Sequence, residues 1–194
     1  MRERVVAAFD FDGTITRRDT LLPFLRQYGT ANLIQAAFLT FMARKPHGWR
    51  ESLKANTLRK IFAGKQLQNF EDDGKTYAST LPSLYRSDAL SKVAYHRNAG
   101  HELVLITASL GCYARPAAEK LGFDHVIAVE LTSHAGRLTG EMSGRNVRRS
   151  EKARRLREWL GSSDAEIWAY GNSRGDNELL EMADHPLMVK RFLR

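Results

Sequence analysis

Two carboxylates separated by a single residue follow an apolar run near the start of the chain. Asp10 and Asp12 belong to the sequence DFDGT at residues 10–14, directly after the apolar residues 5–9. In an extended chain alternate side chains point to the same side, so both carboxylates should face one site. One carboxylate can attack phosphorus as a nucleophile, while the other protonates the leaving oxygen and then activates the hydrolytic water. The competing interpretation is a turn that merely uses Asp and Gly, with Asp12 capping the next helix.

These acids imply a cation. Clustered carboxylates would repel an anionic phosphate ester, so a hard divalent cation such as Mg²⁺ is expected beside them. Gly13 permits the sharp backbone turn that follows the second acid. The motif therefore predicts a magnesium-dependent phosphoryl-transfer site.

The elements that must position these residues alternate between strands and helices. Strands are predicted at residues 5–9, 101–107, 125–129 and 166–170, and helices at residues 88–99, 114–121, 150–160 and 177–183. Gly122 and Gly161 stand where helix C-caps are expected. This alternation predicts a doubly wound α/β fold with a parallel sheet, in which ligands bind at the carboxyl ends of the strands. Asp10 and Asp12 occupy such an end.

One region breaks the alternation. From residue 16 to residue 87 the sequence shows amphipathic helical stretches and no convincing strand. We therefore predict a core domain made of residues 1–15 and 88–194, and an inserted helical subdomain at residues 16–87, called the insertion below. A shorter irregularity at residues 136–144 predicts a small hairpin or loop excursion.

The insertion also carries the net charge of the chain. Within residues 17–65 there are ten Lys and Arg against two acids, and the resulting +8 equals the formal net charge of all 194 residues. This part is either a solvated basic face or a positive surface that attracts anionic substrates or membrane headgroups. Nucleic acid is not predicted as a partner, because no nucleic-acid-binding motif accompanies the charge.

Four segments, in order, resemble the motifs of the haloacid dehalogenase (HAD) superfamily, specifically its subfamily IB phosphatases, the branch that includes phosphoserine phosphatase. They are DFDGT at residues 10–14, VLIT at residues 104–107, SEKA at residues 150–153 and YGNSRGD at residues 170–176. The resemblance spans nearly the whole chain and implies a HAD/Rossmann-like core with a helical cap formed by the insertion. It also implies hydrolysis of a phosphate monoester through an aspartyl-phosphate on Asp10, with Asp12 as the general acid and base.

The resemblance assigns further residues to the site. Thr107 would hydrogen-bond a phosphoryl oxygen with the help of the backbone N–H of Ala108, and Ser109 is a neighbouring candidate. Lys152 would neutralise charge on Asp10 and on the transferring group. The arginines that crowd Lys152 favour the alternative of a solvated basic helix face.

The fourth motif departs from the commonest form of the family. Where many relatives have an aspartate that coordinates the metal, this chain has Asn172, whose carboxamide oxygen can ligate Mg²⁺ but supplies less charge. Asp176 is then the expected carboxylate of this loop, directly or through water, beside Asp10 and Asp12. Asp19 falls where the branch has an acid that meets the substrate amino group, and a local ion pair or a helix N-cap is the alternative.

Composition indicates the cellular compartment in which this chemistry takes place. Cys112 is the only cysteine, so no intramolecular disulfide is possible, and without a signal-peptide pattern a cytoplasmic enzyme is expected. The longest apolar stretch, residues 33–43, is about half the length that spans a bilayer. Two basic residues follow this stretch, so it would suit peripheral contact with an anionic membrane. The alternative is preferred: its apolar residues are spaced four apart, as expected if they form the core of the insertion.

The sequence thus predicts a HAD-type phosphatase that acts on a small or lipid-like phosphate ester. A phosphotransferase with the same aspartyl-phosphate chemistry stays open. So does a non-catalytic relative that binds anionic lipid or a phosphorylated ligand, for which Asn172 is the only argument. A dehalogenase is disfavoured because that reaction has no use for Asp12. No oligomeric state is predicted.

Overall fold

The fold is built around a five-stranded parallel sheet. In a computed structural model, which describes residues 4–31 and 49–189, the strands are β1 (Arg4–Phe9), β2 (Glu102–Leu110), β3 (His125–Val129), β4 (Leu131–His134), β5 (Arg137–Met142), β6 (Ala165–Gly171) and β7 (His185–Met188). The sheet has the order β3-β2-β1-β6-β7, and every neighbouring pair is parallel. From β1 the chain first adds strands on one side and then on the other, which leaves a crevice between β1 and β6 at their carboxyl ends.

Helices occupy most of the connections between strands. They are α1 (Leu21–Arg26), α2 (Trp49–Phe62), α3 (Leu67–Thr80), α4 (Ser87–Asn98), α5 (Gly111–Leu121), α6 (Ser150–Leu160) and α7 (Asn177–Glu181). The predicted doubly wound α/β class is confirmed. Gly122 adopts the left-handed conformation (φ +79°) at the end of α5, as a C-cap glycine does.

The central strand β1 is apolar along its buried length. In β1 the residues from Val6 to Phe9 are at most 1% exposed, which is expected of a parallel strand covered on both faces. The register pairs Phe9 with Leu105 of β2 and with Tyr170 of β6, so the three strands reach the same edge together. Residues that follow these positions are therefore brought to one site.

Two strand predictions need correction. The hairpin formed by β4 and β5 begins at Leu131, before the predicted residues 136–144. The edge strand β7 was not predicted, because its four residues are all exposed and include Pro186, so they show neither an apolar run nor alternation. In addition, β2 continues three residues past Thr107, to Leu110.

The described part of the insertion (residues 16–31 and 49–87) is helical, apart from isolated bridges. The chain enters and leaves it side by side: Thr16 pairs with Tyr85, and the backbone N–H of Arg17 donates to the carbonyl of Leu84 at 2.9 Å. The aromatic rings of α1 and α3 pack on Tyr113 of α5, with 5.0 Å between the ring centroids of Phe24 and Tyr113.

The apolar stretch at residues 33–43 lies outside the described residues. Among the helices that are described, none has the length and apolar character needed to cross a bilayer.

Candidate functional site

A cavity of about 380 Å³ opens where β1, β2 and β6 end. Its lining residues are Asp10, Asp12, Gly13, Arg17, Arg18, Asp19, Ala108, Arg148, Lys152, Asn172, Ser173, Gly175 and Asp176. Most of the predicted site residues are therefore brought together. Thr107 and Ser109 are buried beside the cavity and do not line it.

Asp10 is fixed at the end of β1. Its backbone N–H donates to the carbonyl of Tyr170 at 2.9 Å, which extends the pairing of β1 with β6 by one residue. Its carboxylate is 6% exposed and accepts a hydrogen bond from Lys152 Nζ at 2.5 Å and one from Thr14 Oγ1 at 2.9 Å. Burial raises the pKa of Asp10, while Lys152 acts in the opposite direction.

Lys152 bridges the carboxylates of Asp10 and Asp176. It lies in the first turn of α6, is 2% exposed, and donates to Asp10 Oδ1 at 2.5 Å and to Asp176 Oδ1 at 2.6 Å. Burial alone would lower the pKa of Lys152, but the charges of the two carboxylates outweigh it and raise the pKa. The alternative of a solvated basic face suits the exposed Arg154 and Arg157 of the same helix, not Lys152.

Asp12 is held by hydroxyl groups from two other parts of the chain. Its Oδ1 accepts the backbone N–H of Thr20 at 2.7 Å and the Thr20 hydroxyl at 2.6 Å, and its Oδ2 accepts the Ser109 hydroxyl at 2.5 Å. Burial, together with the nearby charge of Asp19, raises the pKa of Asp12 to about 6. Asp12 therefore both secures Thr20, the residue before α1, and lines the cavity.

The loop after β6 is organised by its own carboxylate. Asp176 Oδ2 accepts the backbone N–H groups of Asn172 and Ser173 at 3.2 and 3.0 Å, and the Ser173 hydroxyl at 2.9 Å. The Asn172 side chain lies over Gly13, where an added Cβ would be 1.8 Å from Asn172 Nδ2. Gly13 also has φ +84°, so both the turn and the contact require glycine.

Two further predicted residues, Thr107 and Asp19, have defined local partners. Thr107 Oγ1 accepts the backbone N–H of Ser109 at 2.9 Å, which leaves the Thr107 O–H as a donor. Asp19 Oδ1 accepts the backbone N–H of Leu22 at 2.9 Å, in the first turn of α1, while Asp19 also lines the cavity. Asp19 therefore makes the helix-capping hydrogen bond that was predicted from the sequence as an alternative to substrate contact.

Sequence reasoning did not single out Thr20, Lys54 or Arg148. Lys54 projects from α2, and its Nζ donates to the carbonyl of Ala108 and to Asn146 Oδ1, the latter at 2.7 Å. Burial lowers the pKa of Lys54 to about 7. Neither this contact nor that of Thr20 has a local sequence signal, because each depends on how the insertion packs on the core. From the sequence, Arg148 was noted only as one of several arginines near Lys152 and was assigned no role in the site.

The oxygen atoms in this cavity suit a hard divalent cation. Asp10, Asp12, Asn172 and Asp176 offer carboxylate and amide oxygens, and the Asn172 carboxamide makes no hydrogen bond with any other described residue. Within residues 4–31 and 49–189, no three His, Cys, Asp or Glu side chains are grouped as metal ligands. A cation here would therefore depend on the amide and on water in addition to carboxylates.

The chain is similar to several known proteins along most of its length. The chain is 35% identical over 191 residues to protein CicA of Caulobacter vibrioides, which covers 94% of this chain and 84% of that protein. It is 24% identical to a protein of Mycobacterium tuberculosis described as a probable phosphatase, over 97% of this chain and 69% of the relative. A substrate-bound phosphoserine phosphatase structure shares the fold, with a TM-score of 0.66 and 15% identity over 94% of this chain and 84% of the other.

The family assignment rests on a match along most of the chain. The sequence model described as haloacid dehalogenase-like hydrolase matches residues 7–181, which include all four predicted motifs. The resemblance drawn from those motifs is confirmed: this chain belongs to the haloacid dehalogenase-like hydrolase family.

Proposed function

We propose that this protein is a Mg²⁺-dependent phosphohydrolase that cleaves a phosphate monoester through an aspartyl-phosphate on Asp10. The observation that carries the proposal is the position of Asp10, whose buried carboxylate lines the cavity 2.5 Å from the ammonium group of Lys152. Membership of the hydrolase family and the phosphatase descriptions of relatives support it.

Asp12 supplies the proton transfers in this mechanism. As Asp10 attacks phosphorus, Asp12 protonates the oxygen of the leaving alcohol, and it later takes a proton from the water that attacks the aspartyl-phosphate. Burial raises the pKa of Asp12 to about 6, so this carboxyl holds a proton nearer neutral pH than an exposed aspartate does. Thr20 and Ser109 fix its two oxygens.

The transferring phosphoryl group is held by donors at the strand ends. The Thr107 hydroxyl and the backbone N–H of Ala108 donate to its oxygens, and Lys152 offsets the charge that it shares with Asp10. Ser109 acts through Asp12 in this geometry, because its hydroxyl is already given to that carboxylate.

Mg²⁺ would be held by Asp10, Asp12 and Asn172. Asp176 would contribute directly or through water, from its position beside Lys152 in the loop that carries Asn172. When bound, the cation neutralises carboxylate and phosphoryl charge so that the two anions can approach each other.

The insertion acts as the cap in this proposal. Lys54 of α2 reaches the carbonyl of Ala108 at the cavity, so the insertion contacts the strand end that holds the phosphoryl group. A basic cap favours anionic substrates, either small molecules or lipid-like phosphate esters. Asp19 would contact the substrate from the start of the insertion.

We place the reaction in the cytoplasm. If the substrate is a lipid-like phosphate ester, the protein would also contact an anionic membrane peripherally.

Hydrolysis of an aryl phosphate in the presence of Mg²⁺ tests the proposal. Activity should vanish in Asp10→Asn and on addition of EDTA, whereas Asp72→Asn, at an exposed position on α3, should retain it. Full activity in Asp10→Asn would contradict the mechanism. Retention of phosphate-ester binding without any turnover by the unmodified protein would favour the non-catalytic alternative.

A further inference from the structure

Three arginines line the cavity without a role in the chemistry above. Arg17 and Arg18 come from the start of the insertion, and Arg148 comes from the loop before α6. Within the two described ranges, 4–31 and 49–189, none of their guanidinium groups donates a hydrogen bond or forms an ion pair. The lysine and carboxylates of the cavity, by contrast, all have partners inside the protein.

Arg148 is held in place by the backbone around it. A Cβ added to Gly175 would lie 3.3 Å from Arg148 Nε and 3.5 Å from its Cγ, so the side chain runs along the bare backbone of Gly175. The next residue, Arg149, has φ +55°, and its backbone N–H donates to the Gly175 carbonyl at 2.9 Å. A non-glycine residue in such a conformation costs about 1–3 kcal/mol. This strained residue directly follows Arg148 in the loop that lines the cavity.

A second cation stands close to Arg148. Asn146 accepts the ammonium of Lys54 on its side-chain oxygen at 2.7 Å and the backbone N–H of Arg148 on its carbonyl at 2.7 Å. The positive charge of Arg148 acts on Lys54, as do the negative charges of Asp12 and Asp19, and within residues 4–31 and 49–189 neither cation is hydrogen-bonded to a carboxylate. An anion bound beside these two groups would reduce the repulsion between them.

We propose that Arg148, assisted by Arg17 and Arg18, binds a second anionic group on the alcohol part of the substrate. The inference rests on the proposed function and narrows its substrate class to phosphate monoesters whose alcohol carries another phosphate. Guanidinium groups bind phosphate oxygens in pairs of charge-assisted hydrogen bonds. In the proposed mechanism the phosphoryl group that is hydrolysed has its own donors in Thr107, Ala108 and Lys152.

A matched pair of substrates isolates the second phosphate. Propane-1,3-diol monophosphate and propane-1,3-diol bisphosphate differ only in that group, and both are assayed at the same free Mg²⁺ concentration. We expect kcat/KM to be roughly tenfold or more higher for the bisphosphate, as one pair of charge-assisted hydrogen bonds provides. Arg148→Gln should remove the preference, with the loss falling mainly on the KM of the bisphosphate.

Arg145→Gln is the matched control, because Arg145 is an exposed arginine of the same loop that does not line the cavity. It should keep the full preference, and Arg148→Lys should keep part of it, since the charge remains but the paired geometry is lost. Equal kcat/KM values for the two substrates in the unmodified protein would overturn the inference. So would an equal loss on both substrates in Arg148→Gln, because Arg148 would then serve the reacting phosphoryl group.

A third substrate separates the two sources of the second phosphate. It is the bisphosphate with one phosphate converted to its methyl diester, which mimics a lipid headgroup. A preference that survives in the diester indicates a phosphodiester partner such as a lipid, and a preference that is lost indicates a soluble bisphosphate.

Binding to an inactive protein keeps this inference separate from the proposed function. In Asp10→Asn, calorimetry should show tighter binding of the bisphosphate than of the monophosphate, and Asp10→Asn with Arg148→Gln should show none of this difference. If the unmodified protein hydrolyses neither substrate while the binding difference persists, the proposed function fails and the anion site stands. If both substrates bind equally in Asp10→Asn, the anion site fails.

Discussion

At the scale of single residues, the carboxylate of Asp12 shows what sequence can and cannot predict. Its position was predictable, because an acid two residues after another at a strand end needs only local geometry. Its partners were not. Thr20 reaches it because the chain doubles back after the turn at residues 11–15, and Ser109 reaches it because β2 ends beside β1.

Asn172 offers a direct test of metal binding at one residue. Asn172→Asp should tighten Mg²⁺ roughly tenfold or more, since cation affinity follows the charge of the ligands. Asn69→Asp, at an exposed position on α3, adds the same charge elsewhere and should leave the affinity unchanged. The measurement is a Mg²⁺ titration of activity, and an unchanged midpoint in Asn172→Asp would remove Asn172 from the proposed ligands.

Lys54 predicts a particular pH dependence of stability. Burial lowers its pKa in the folded protein to about 7, whereas an unfolded lysine titrates near 10.4. Between these values the unfolded chain binds more protons, so the Lys54 contribution to the free energy of unfolding rises with pH. The buried charge is therefore most destabilising at pH 7 and below.

Lys54→Met removes this titration. In urea unfolding at several pH values, the unmodified protein should gain stability relative to Lys54→Met as the pH rises from about 7 to 9. Lys54→Met also loses the hydrogen bonds to Ala108 and Asn146, which lowers its free energy of unfolding. This loss is the same at every pH, so it does not change how the stability difference varies with pH. A difference that stays flat across the range would show that Lys54 keeps an ordinary pKa. Lys60→Met, at an exposed position on the same helix, should give such a flat difference.

At the scale of elements, apolar runs and helical periodicity predicted what the core of the sheet needs. The four predicted strands and α6 were found at or near their predicted bounds. The hairpin of β4 and β5 was only partly predicted, and its packing against α2 has no local signal in the sequence. Gly140 of β5 meets the backbone of α2, where an added Cβ would lie 2.7 Å from the Cα of Arg59.

This contact can be tested with two glycines of the same hairpin. Gly140 and Gly136 both have positive φ, at +81° and +74°, but a Cβ on Gly136 would meet nothing within 4 Å. Gly140→Ala should therefore lose about 1–3 kcal/mol of stability beyond the loss in Gly136→Ala, which has the backbone strain alone. It should also lower activity, because α2 carries Lys54. Equal losses in urea unfolding would show that α2 does not pack closely on the hairpin.

At the scale of the whole molecule, the alternation of strands and helices predicted the fold class, and the strand order of the folded sheet brings the site residues together. β1 and β6 are far apart in sequence, yet their parallel pairing places Asp10 beside the loop that contains Asn172 and Asp176. The approach of the insertion to the cavity could not be predicted in the same way, because helical segments without a strand register have no fixed alignment with the core.

A buried histidine network predicts how the whole fold responds to acid. His96 Nδ1 lies 2.8 Å from His101 Nδ1, and His96 Nε2 lies 2.8 Å from the Tyr170 hydroxyl on β6. Burial, reinforced by His101, lowers the pKa of His96 to about 4, against about 6.5 in an unfolded chain. The contribution of His96 to stability is complete above pH 6.5 and is lost as the pH falls toward 4.

Replacement of His96 checks this acid response. His96→Gln should flatten the fall of the free energy of unfolding between about pH 6.5 and 4, by an amount on the order of 1–3 kcal/mol. His134→Gln, at an exposed histidine of the hairpin, should keep the original slope. An unchanged slope in His96→Gln would mean that other groups govern acid unfolding.

The covalent intermediate tests the central claim most directly. The protein is mixed with an aryl phosphate and Mg²⁺, quenched in acid during turnover and treated with borohydride, which reduces an acyl phosphate on aspartate to homoserine. Peptide mass spectrometry should then find homoserine at position 10, and only when substrate and Mg²⁺ are both present. Turnover with unmodified Asp10, or homoserine at another aspartate, would contradict the assignment of Asp10 as the nucleophile.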